Sequence, residues 1–568
     1  MKVFMKVILT VFLLNIIFNV SCNRNPEQMG EFAPKDAYLP GAKHPYYGSE
    51  NAWNQRFFSE STAKRFYKRR GQRAMLFIVE GKPQKAVKYC RKLLAEDPND
   101  LESLFNLVVA KCQMKDIKGA METMKRAVNL GLPFSRFLAG PRDLLKPLTS
   151  TEDFKKYAAK YNIELIHGPL LGCVTDHSAK FWVRTVDEVL VQVFVSTSPK
   201  LTHPIKSDIH STKSEKDYTT VVTVKGLKPA TRYYYSVMLN GKACMKPDYP
   251  SFRTYPPEGS KAHFTVGFGG GAGYVPQNER IWNVIKSYNL TAFLFLGDNV
   301  YVDVPAKPNG LHYYTYYRRQ SRPEFRKLIS STPIYAIWDD HDCGMDDMWM
   351  GPYRDKPDWK MPLFYQFQEN WNNPPHGNPP DWPGGWFKFS IGDVDFFILD
   401  CRIYRTNPFD KHSTMLGPVQ KAWLLKNVKQ SRAVFKVIAS TVPWSYASKA
   451  GARDTWNGFR DERKEIFDFL ANNKIEGVIL LSADRHRSDI WRIDRPNGYP
   501  LYEFESSRLT NQHFHEVMPG SLFGYNKKQS FGLLTFDTTK PDPTVTYQII
   551  SIDNEVIHTF TVKKSELR

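Results

Sequence analysis

The order of hydrophobic and polar residues divides the chain into three parts. Residues 62 to 163 follow a helical pattern. From 167 to about 256, runs such as AKFWVRT, VLVQVFVST and YTTVVTVKGL alternate apolar and polar residues between turn signals, which predicts a small β-sandwich. From about 262 onward, apolar strands alternate with helical stretches, which predicts a layered α/β domain with strands buried on both faces.

The N-terminus has the order of a targeting segment. Lys2 and Lys6 precede an apolar stretch that ends at Ser21-Cys22, and this stretch is too short to cross a bilayer comfortably. We expect a lipoprotein signal peptide over 1–22 with Cys22 acylated, and an ordinary cleaved signal peptide is the alternative. The expected location is the cell envelope, as an exported lipoprotein on the periplasmic side or the outer membrane of a bacterium. No later segment predicts a transmembrane helix.

The helical part contains a repeat of small residues. Ala86 and Ala120 are 34 residues apart in matching contexts, with Ala74 twelve residues before Ala86 and Pro98 twelve after it. This spacing resembles tetratricopeptide repeats, and an unrelated helical bundle is the alternative. We place the repeats at 61–165, after a linker at 23–60. Repeat arrays commonly bind proteins, so a protein partner is expected here.

Composition and charge narrow the classes of protein to which this chain can belong. Hydrophobic residues make up 42% of the 568 residues and aromatic residues 14%, which is enough for packed cores and excludes a disordered chain. The net charge of +20 is spread along the chain, as in a lysine-rich surface or in a surface that attracts anionic substrates. No nucleic-acid-binding module is evident. The cysteines form no C-x-x-C pair, which argues against structural zinc, and their pairing stays open.

Polar clusters follow three apolar strands of the α/β part. They are LGDNVY at 296–301, WDDHD at 338–342 and SADRH at 482–486. A single aspartate at a strand end is more often a turn former or helix cap. Three such clusters at strand ends in one domain predict a shared site, because open α/β sheets place their sites at the carboxyl ends of strands. Oxygen-rich ligands with few histidines favour hard cations such as calcium, magnesium, manganese or ferric iron.

These clusters carry a resemblance to a known family. Residues 167 to about 540 resemble the PhoD-like alkaline phosphatases, which are calcineurin-like and purple-acid-phosphatase-like metallophosphoesterases. The matching stretches are GPLLGCVTDHSAKFWVRT, LGDNVY, IWDDHD, VDFFILDCRIYR, DTWNGFRDER, LSADRHRSDI and YEFESSRLTN. The resemblance implies a multidomain protein with a four-layer α/β metallophosphatase core at 258–568. A fibronectin III-like β-sandwich at 166–257 and the α-helical repeat region would precede this core.

The resemblance also implies the metal ligands. Asp298 would bridge two metal ions, with Tyr301 and His486 on the first ion and Asp340 and Asp484 on the second. The expected cofactors are two or more ions of calcium, iron or manganese.

Catalytic roles follow from the same resemblance. His341 would bind the phosphate or protonate the leaving group, with Asp340 and Arg485 beside it, and Asp339 and Asp342 would orient their neighbours. Further arginines in family-like motifs, Arg402 and Arg460, are candidates for phosphate binding or for structural ion pairs. The implied reaction is hydrolysis of a phosphomonoester or phosphodiester by a water molecule that two metal ions activate.

One departure from the family leaves alternatives open. After its first strand the family usually has a cysteine that ligates the first metal, whereas this chain has Gly269-Gly270-Gly271 there. Water or another residue would fill that ligand position, or the first metal binds weakly. The glycines would alternatively bind a substrate phosphate through their backbone N–H groups. If the first site is lost, the protein is a pseudoenzyme or binding protein, or an envelope lipoprotein in which the repeats organise an assembly.

Overall fold

The computed structural model describes residues 58–375 and 381–568. The expected signal peptide, Cys22 and almost all of the linker lie outside these residues. Within them, no helix is long and apolar enough to cross a membrane. The helices of the N-terminal part are α1 Glu60–Arg65, α2 Tyr67–Val79, α3 Pro83–Glu96, α4 Leu101–Gln113, α5 Ile117–Asn129, α6 Ser135–Ala139, α7 Arg142–Thr149 and α8 Glu152–Ala159.

The repeat alanines lie where these helices cross. Ala74 on α2, Ala86 on α3 and Ala120 on α5 are at most 1% exposed, and α2 to α5 pack in sequence order. A small side chain at a crossing lets two helix backbones approach closely, which is why the alanines recur with the repeat. Pro98 lies in the turn between α3 and α4, where its missing N–H removes no helical hydrogen bond.

A β-sandwich follows the helices. Its strands are β1 Leu165–Gly172, β2 Ser178–Thr185, β3 Leu190–Ser196, β4 Ile205–Lys206, β5 His210–Ser211, β6 Thr219–Lys225, β7 Arg232–Leu239, β8 Lys242–Ala243 and β9 Ser251–Arg253. One sheet has the order β1-β2-β6, and the other has the order β4-β3-β7-β8, with β5 beside β3 and β9 beside β7. The inward-facing Phe181 and Tyr235 join the two sheets, with ring centroids 4.6 Å apart. A specific likeness to fibronectin III stays a prediction.

The C-terminal part is an α/β domain. Its strands are β10 His263–Gly269, β11 Ala292–Leu296, β12 Ile334–Ile337, β13 Phe387–Ile391, β14 Val394–Ile398, β15 Phe435–Ala439, β16 Val478–Ser482, β17 Ser488–Arg495, β18 Gly498–Ser506, β19 Phe523–Tyr525, β20 Ser530–Asp537, β21 Thr544–Ser551 and β22 Val556–Lys563. Its helices are α9 Ile281–Ser287, α10 Gly310–Gln320, α11 Pro323–Ile329, α12 Asp340–Cys343, α13 Lys360–Asn370, α14 Gly417–Gln430 and α15 Arg460–Asn472.

The strands of this domain form two mixed sheets that pack face to face. Their orders are β12-β11-β10-β20-β21-β22 and β13-β14-β15-β16-β18-β17-β19. Phe396 of the second sheet meets Phe536 of the first edge-on, at a centroid distance of 5.8 Å. Helices cover the outer faces, where Trp282 of α9 packs on the first sheet and Trp423 of α14 packs on the second. The domain therefore has the helix–sheet–sheet–helix order that the family resemblance implies.

The helical region shares a hydrophobic core with the α/β domain. Tyr314 on α10 lies against α2 and α4, where its hydroxyl donates to Glu102 at 2.6 Å and accepts from Asn106 at 3.2 Å. Gly71 on α2 allows this approach, because a Cβ at that position would lie 1.9 Å from the Tyr314 hydroxyl oxygen. Val300, Val302 and other residues of the loop after β11 belong to the same buried cluster as α2 to α8. The repeats therefore pack on the edge of the predicted site.

Candidate metal centre

The three polar clusters predicted from the sequence meet at one place. β10, β11 and β12 are parallel neighbours in one sheet, and β14, β15, β16 and β18 are parallel neighbours in the other. The carboxyl ends of parallel strands lie at the same edge of a sheet, so the residues that follow β11, β12 and β16 converge. The site lies at this edge, between the two sheets.

Asp298, Tyr301 and His486 form one side of the site. The Tyr301 hydroxyl donates to Asp298 Oδ2 at 2.8 Å and lies 2.8 Å from His486 Nε2, which is 3.7 Å from Asp298 Oδ2. Asn511, five residues after β18, donates from Nδ2 to the Tyr301 hydroxyl at 2.7 Å. All four side chains are buried. The structure thus brings together the three residues expected to ligate the first metal.

Asp298, Asp340 and His341 form the other side. Each places one ligand atom within 4.8 Å of the others, and all three are buried. His341 Nδ1 lies 2.5 Å from Asp303 Oδ1, so this carboxylate accepts from Nδ1–H, and Nε2 lies 3.5 Å from Asp346 Oδ1. Burial alone would lower the pKa of His341, but the carboxylates of Asp298, Asp303 and Asp340 together raise it well above its usual value.

The backbone at the site is strained. Four of the predicted ligands have φ in the left-handed region, with values of 55° at Asp298, 56° at Tyr301, 68° at Asp484 and 49° at His486. Each costs about 1–2 kcal/mol in a residue with a Cβ. Such conformations concentrate where a side chain must point in a set direction, which supports a functional role for these turns.

Asp339 and Asp342 orient their neighbours. Asp342 accepts from the backbone N–H groups of Asn299 and Val300 at 2.7 and 2.9 Å, which joins the β11 loop to α12. Burial raises the pKa of Asp342 to about 7. Asp339 accepts from Arg402 and from the Thr441 hydroxyl. Its burial raises its pKa to about 6 although Arg402 opposes that shift.

The donor atoms at this site fit a cation. Among the described residues, Asp298 Oδ1, Asp339 Oδ2 and His486 Nδ1 are buried atoms that make no hydrogen bond. Buried carboxylate oxygens rarely lack a partner, because the cost of removing them from water is then unmatched. Burial also raises the pKa of Asp298 well above its usual value, with nearby carboxylates adding to the shift. A bound metal ion would supply the missing partner and would offset the repulsion between these carboxylates.

Comparison with known proteins agrees with this geometry. Residues 266–547 match the family model of the PhoD-like phosphatases. This part of the chain is a PhoD-like phosphatase domain. Residues 162–257 match a domain of unknown function, DUF7800, and residues 78–132 match the tetratricopeptide repeat. The resemblances to PhoD-like phosphatases and to tetratricopeptide repeats are therefore confirmed.

Individual relatives support the same assignment. Alkaline phosphatase D of Bacillus subtilis (strain 168) is 28% identical over 146 residues, which is 22% of this chain and 24% of the relative. The match thus spans about a quarter of that relative's length. A solved structure of PhoD is 17% identical with a TM-score of 0.59, covering 70% of this chain and 90% of its own. The solved structure of a purple acid phosphatase from yellow lupin (Lupinus luteus) seeds is 12% identical with a TM-score of 0.52, and the match covers 70% of this chain and 75% of that one. The two structural likenesses show the fold.

Three backbone N–H groups of the glycine loop after β10 of the PhoD-like domain already make hydrogen bonds. Those of Gly270, Gly271 and Ala272 donate to the carbonyls of Ser506, Gly297 and Asp298. These three N–H groups are therefore not available to bind a phosphate. Gly271 has φ +68°, and a Cβ there would lie 2.8 Å from Arg508 N and 3.0 Å from His486 Cδ2. The first strand therefore has no room for a side-chain ligand at this position.

Some predicted residues lie apart from the two groups. The carboxylate of Asp484 lies 3.4 Å from Arg485 Nη1. Arg402 is fully buried, where it pairs with Asp339 and places Nη2 3.6 Å from Asp340 Oδ1, whereas exposed Arg460 donates to Asn457.

The helical region contributes residues to the PhoD-like site that sequence reasoning missed. The Lys68 ammonium lies 3.3 Å from the centroid of the Tyr301 ring, and burial lowers its pKa well below the usual value. Arg69 forms a buried ion pair with Asp303, and Gln72 donates to the Tyr301 carbonyl. One side of α2 therefore forms a wall of the site.

Other missed residues come from the segments around the site. Asp303 stands two residues after Tyr301, and His513 and His515 form an H-x-H pair shortly after the last family-like stretch. H-x-H spacing is a visible signal for metal binding. The residues of α2 carry no such signal, because nothing in a helical repeat indicates which face packs on a neighbouring domain.

Proposed function

We propose that this protein is a metal-dependent phosphatase that hydrolyses phosphomonoesters or phosphodiesters. The observation that carries the proposal is the convergence of Asp298, Tyr301, Asp340 and His486 with buried donor atoms that lack partners. The match to the PhoD-like phosphatases supports the same chemistry.

The metal ligands follow from the two groups at the site. Asp298 belongs to both and would bridge two ions, with Tyr301 and His486 on the first and Asp340 and Asp484 on the second. Calcium, iron and manganese are the expected candidates. When bound, such ions offset the charge of the phosphoryl oxygens and lower the pKa of the attacking water molecule.

The remaining side chains have roles that their contacts support. Asp303 accepts from His341 Nδ1–H, which orients Nε2 to donate a proton to the departing oxygen of the ester. In the metal-free protein, burial lowers the pKa of His341, but the carboxylates of Asp298, Asp303 and Asp340 raise it well above the usual value, and Asp303 is not one of the proposed metal ligands. Arg485 is our candidate for contacting the phosphate, because its Nη1 lies 3.4 Å from Asp484, a proposed ligand of the second metal, and its Nε is a buried atom without a hydrogen bond.

Location and partners belong to the same proposal. Acylation of Cys22 would attach the protein to the bacterial cell envelope, with a phosphate-ester substrate reaching it outside the cytoplasm. The outer surface of the tetratricopeptide repeats would be available to a protein partner. The repeats already pack on α10 through Gly71 and Tyr314, so a partner would bind a different face.

The proposal is tested by hydrolysis assays on the full chain. We expect the chelator-stripped protein to be inactive on p-nitrophenyl phosphate and bis-p-nitrophenyl phosphate and to regain activity with calcium, manganese or iron. Asp298→Asn should lower kcat by about 100-fold or more, because a carboxylate that would bridge both ions is lost. Asp461→Asn, an exposed aspartate on α15, is the matched control. A folded protein that hydrolyses neither ester with any of these metals would overturn the proposal and favour the binding-protein alternative.

A further inference from the structure

Three histidines converge beside the proposed metal centre. His486, His513 and His515 each place one ring nitrogen within 4.8 Å of the others. Their ring centroids are 5.2 Å apart for His486 and His513, 5.6 Å for His486 and His515, and 4.6 Å for His513 and His515. Two nitrogens bound to one ion at about 2.1 Å each are at most about 4.2 Å apart. Small side-chain rotations are therefore enough to close this set around one ion.

Of the ring nitrogens of these histidines, only His486 Nε2 has hydrogen-bond partners in the described part of the chain, namely the Tyr301 hydroxyl at 2.8 Å and Asn511 Nδ2 at 3.3 Å. Among the described residues, no hydrogen bond reaches the rings of His513 and His515, and His486 Nδ1 is a buried atom without one. Buried histidines elsewhere are paired, as His167 is with Ser321 and Arg184. The rings of His513 and His515 are half-buried, so their unpartnered nitrogens are open to a ligand, and imidazole nitrogens are common metal ligands.

The segment that carries the histidine pair is fixed in place. The backbone N–H of His513 donates to Asn511 Oδ1 at 3.3 Å, and the carbonyl of His515 accepts from Asn526 at 3.0 Å. Phe66, from the turn before α2, packs edge-on against the His513 ring with a centroid distance of 5.8 Å. The two rings are thus held toward His486 before any ion binds.

The side of the site formed by β10 supplies no ligand. Gly271 has no room for a side chain next to His486 and Arg508. Asp298, Tyr301 and His486 alone would give the first metal three protein ligands. His513 and His515 approach the same histidine from the segment after β18 and would raise that number to five.

We propose that His513 and His515 join His486 as ligands of the first metal, which makes this position selective for an imidazole-binding transition metal. This inference rests on the proposed function for the position of the first metal. Three imidazoles with a phenolate favour zinc, iron or cobalt over calcium and magnesium, which prefer oxygen ligands. The second position, with Asp340 and Asp484, keeps a carboxylate set suited to a hard cation. The two positions would therefore take different metals.

The test measures metal binding without turnover. The chelator-stripped full chain is titrated with Co²⁺, followed by visible absorption, and with Zn²⁺ in the presence of excess Ca²⁺. X-ray absorption of the zinc-loaded protein counts the imidazole ligands. The variant is His513→Gln/His515→Gln, and the matched control is His177→Gln/His210→Gln, which changes two exposed histidines of the sandwich.

We expect three imidazoles in the wild-type zinc shell, one in the His513→Gln/His515→Gln variant, and a loss of Zn²⁺ affinity of at least about tenfold in that variant alone. A wild-type shell with a single imidazole would overturn the inference, and this result needs no variant to fold. Unchanged affinity and imidazole count in a folded variant would overturn it too. If the protein hydrolyses the esters but its zinc shell contains a single imidazole, this inference fails and the proposed function stands. If the zinc shell contains three imidazoles but the protein hydrolyses neither ester, only the proposed phosphatase function is rejected.

Discussion

The guanidinium of Arg69 pairs with the carboxylate of Asp303, 234 residues later in the chain, and Asp303 contacts His341 Nδ1 through its other oxygen. Arg69 belongs to the helical region, whereas the other two belong to the PhoD-like domain. A residue of the repeats therefore positions the proposed proton donor of the site.

Replacing Arg69 should impair catalysis more than metal binding. Arg69→Met leaves Asp303 buried without its cation, so Asp303 no longer fixes the orientation of His341, and we expect kcat to fall by about 10- to 100-fold. Metal content, measured on the same preparation, should stay at the wild-type level. Arg91→Met, an exposed arginine on α3, serves as the control. Equal kcat values for the two variants would show that the ion pair has no part in positioning His341.

The contact between Gly71 and Tyr314 offers a test of how the helical region is attached. Gly71→Ala should lower the free energy of unfolding by about 1–3 kcal/mol, because the new Cβ overlaps the Tyr314 hydroxyl. Adding Tyr314→Phe removes that oxygen and should recover part of the loss. Thermal unfolding of the two single variants and the double variant measures the coupling. Additive effects would contradict a direct steric contact.

Gly271 should tolerate no side chain. Gly271→Ala combines the cost of a left-handed backbone with close contacts to Arg508 and His486, so we expect a loss of about 2–4 kcal/mol in stability and weaker metal binding. Gly226→Ala is the matched control, because Gly226 has φ +77° and nothing within 4 Å of the added Cβ. It should show the backbone cost alone, about 1 kcal/mol. Equal losses in the two variants would mean that the site accommodates the methyl group.

Asp342 makes the metal-free protein sensitive to pH. Burial raises its pKa from 3.8 to about 7, so its ionisation in the fold costs about 4 kcal/mol. Folded protein then binds more protons than unfolded protein between these values, and the free energy of unfolding should fall as pH rises from about 4 to about 7. Asp342→Asn should flatten this dependence in denaturant titrations of the stripped protein. If the free energy of unfolding of the variant falls with pH as steeply as that of the wild type, other carboxylates cause the pH dependence.

The sequence predicted one part of the site and missed another for a physical reason. Asp298, Asp340 and His486 follow apolar strands, and parallel strands bring such positions together whatever the details of packing. Lys68 and Arg69 lie on a helix whose packing face depends on tertiary contacts with α10. No local pattern encodes that choice, since both residues would suit an exposed helix surface equally well.

The same distinction applies to the fold. The alternation of apolar strands and helical stretches predicted a layered α/β domain, and the family resemblance implied its four layers. The sequence also predicted a helical repeat region, but as an array separate from the site. The close approach of α2 depends on Gly71, which in the sequence is an ordinary unfavourable helix residue and in the structure is what admits Tyr314.

The wall that α2 contributes to the site also affects how the chain is made. Arg69 leaves the ribosome 234 residues before Asp303, an interval of roughly 10–50 s at about 5–20 residues per second. During that interval, the face of α2 that bears Lys68 and Arg69 has no domain to pack on. The nascent chain therefore exposes an apolar and cationic surface until the loop after β11 emerges. A chain interrupted within this interval carries one wall of the site without the residues that this wall contacts.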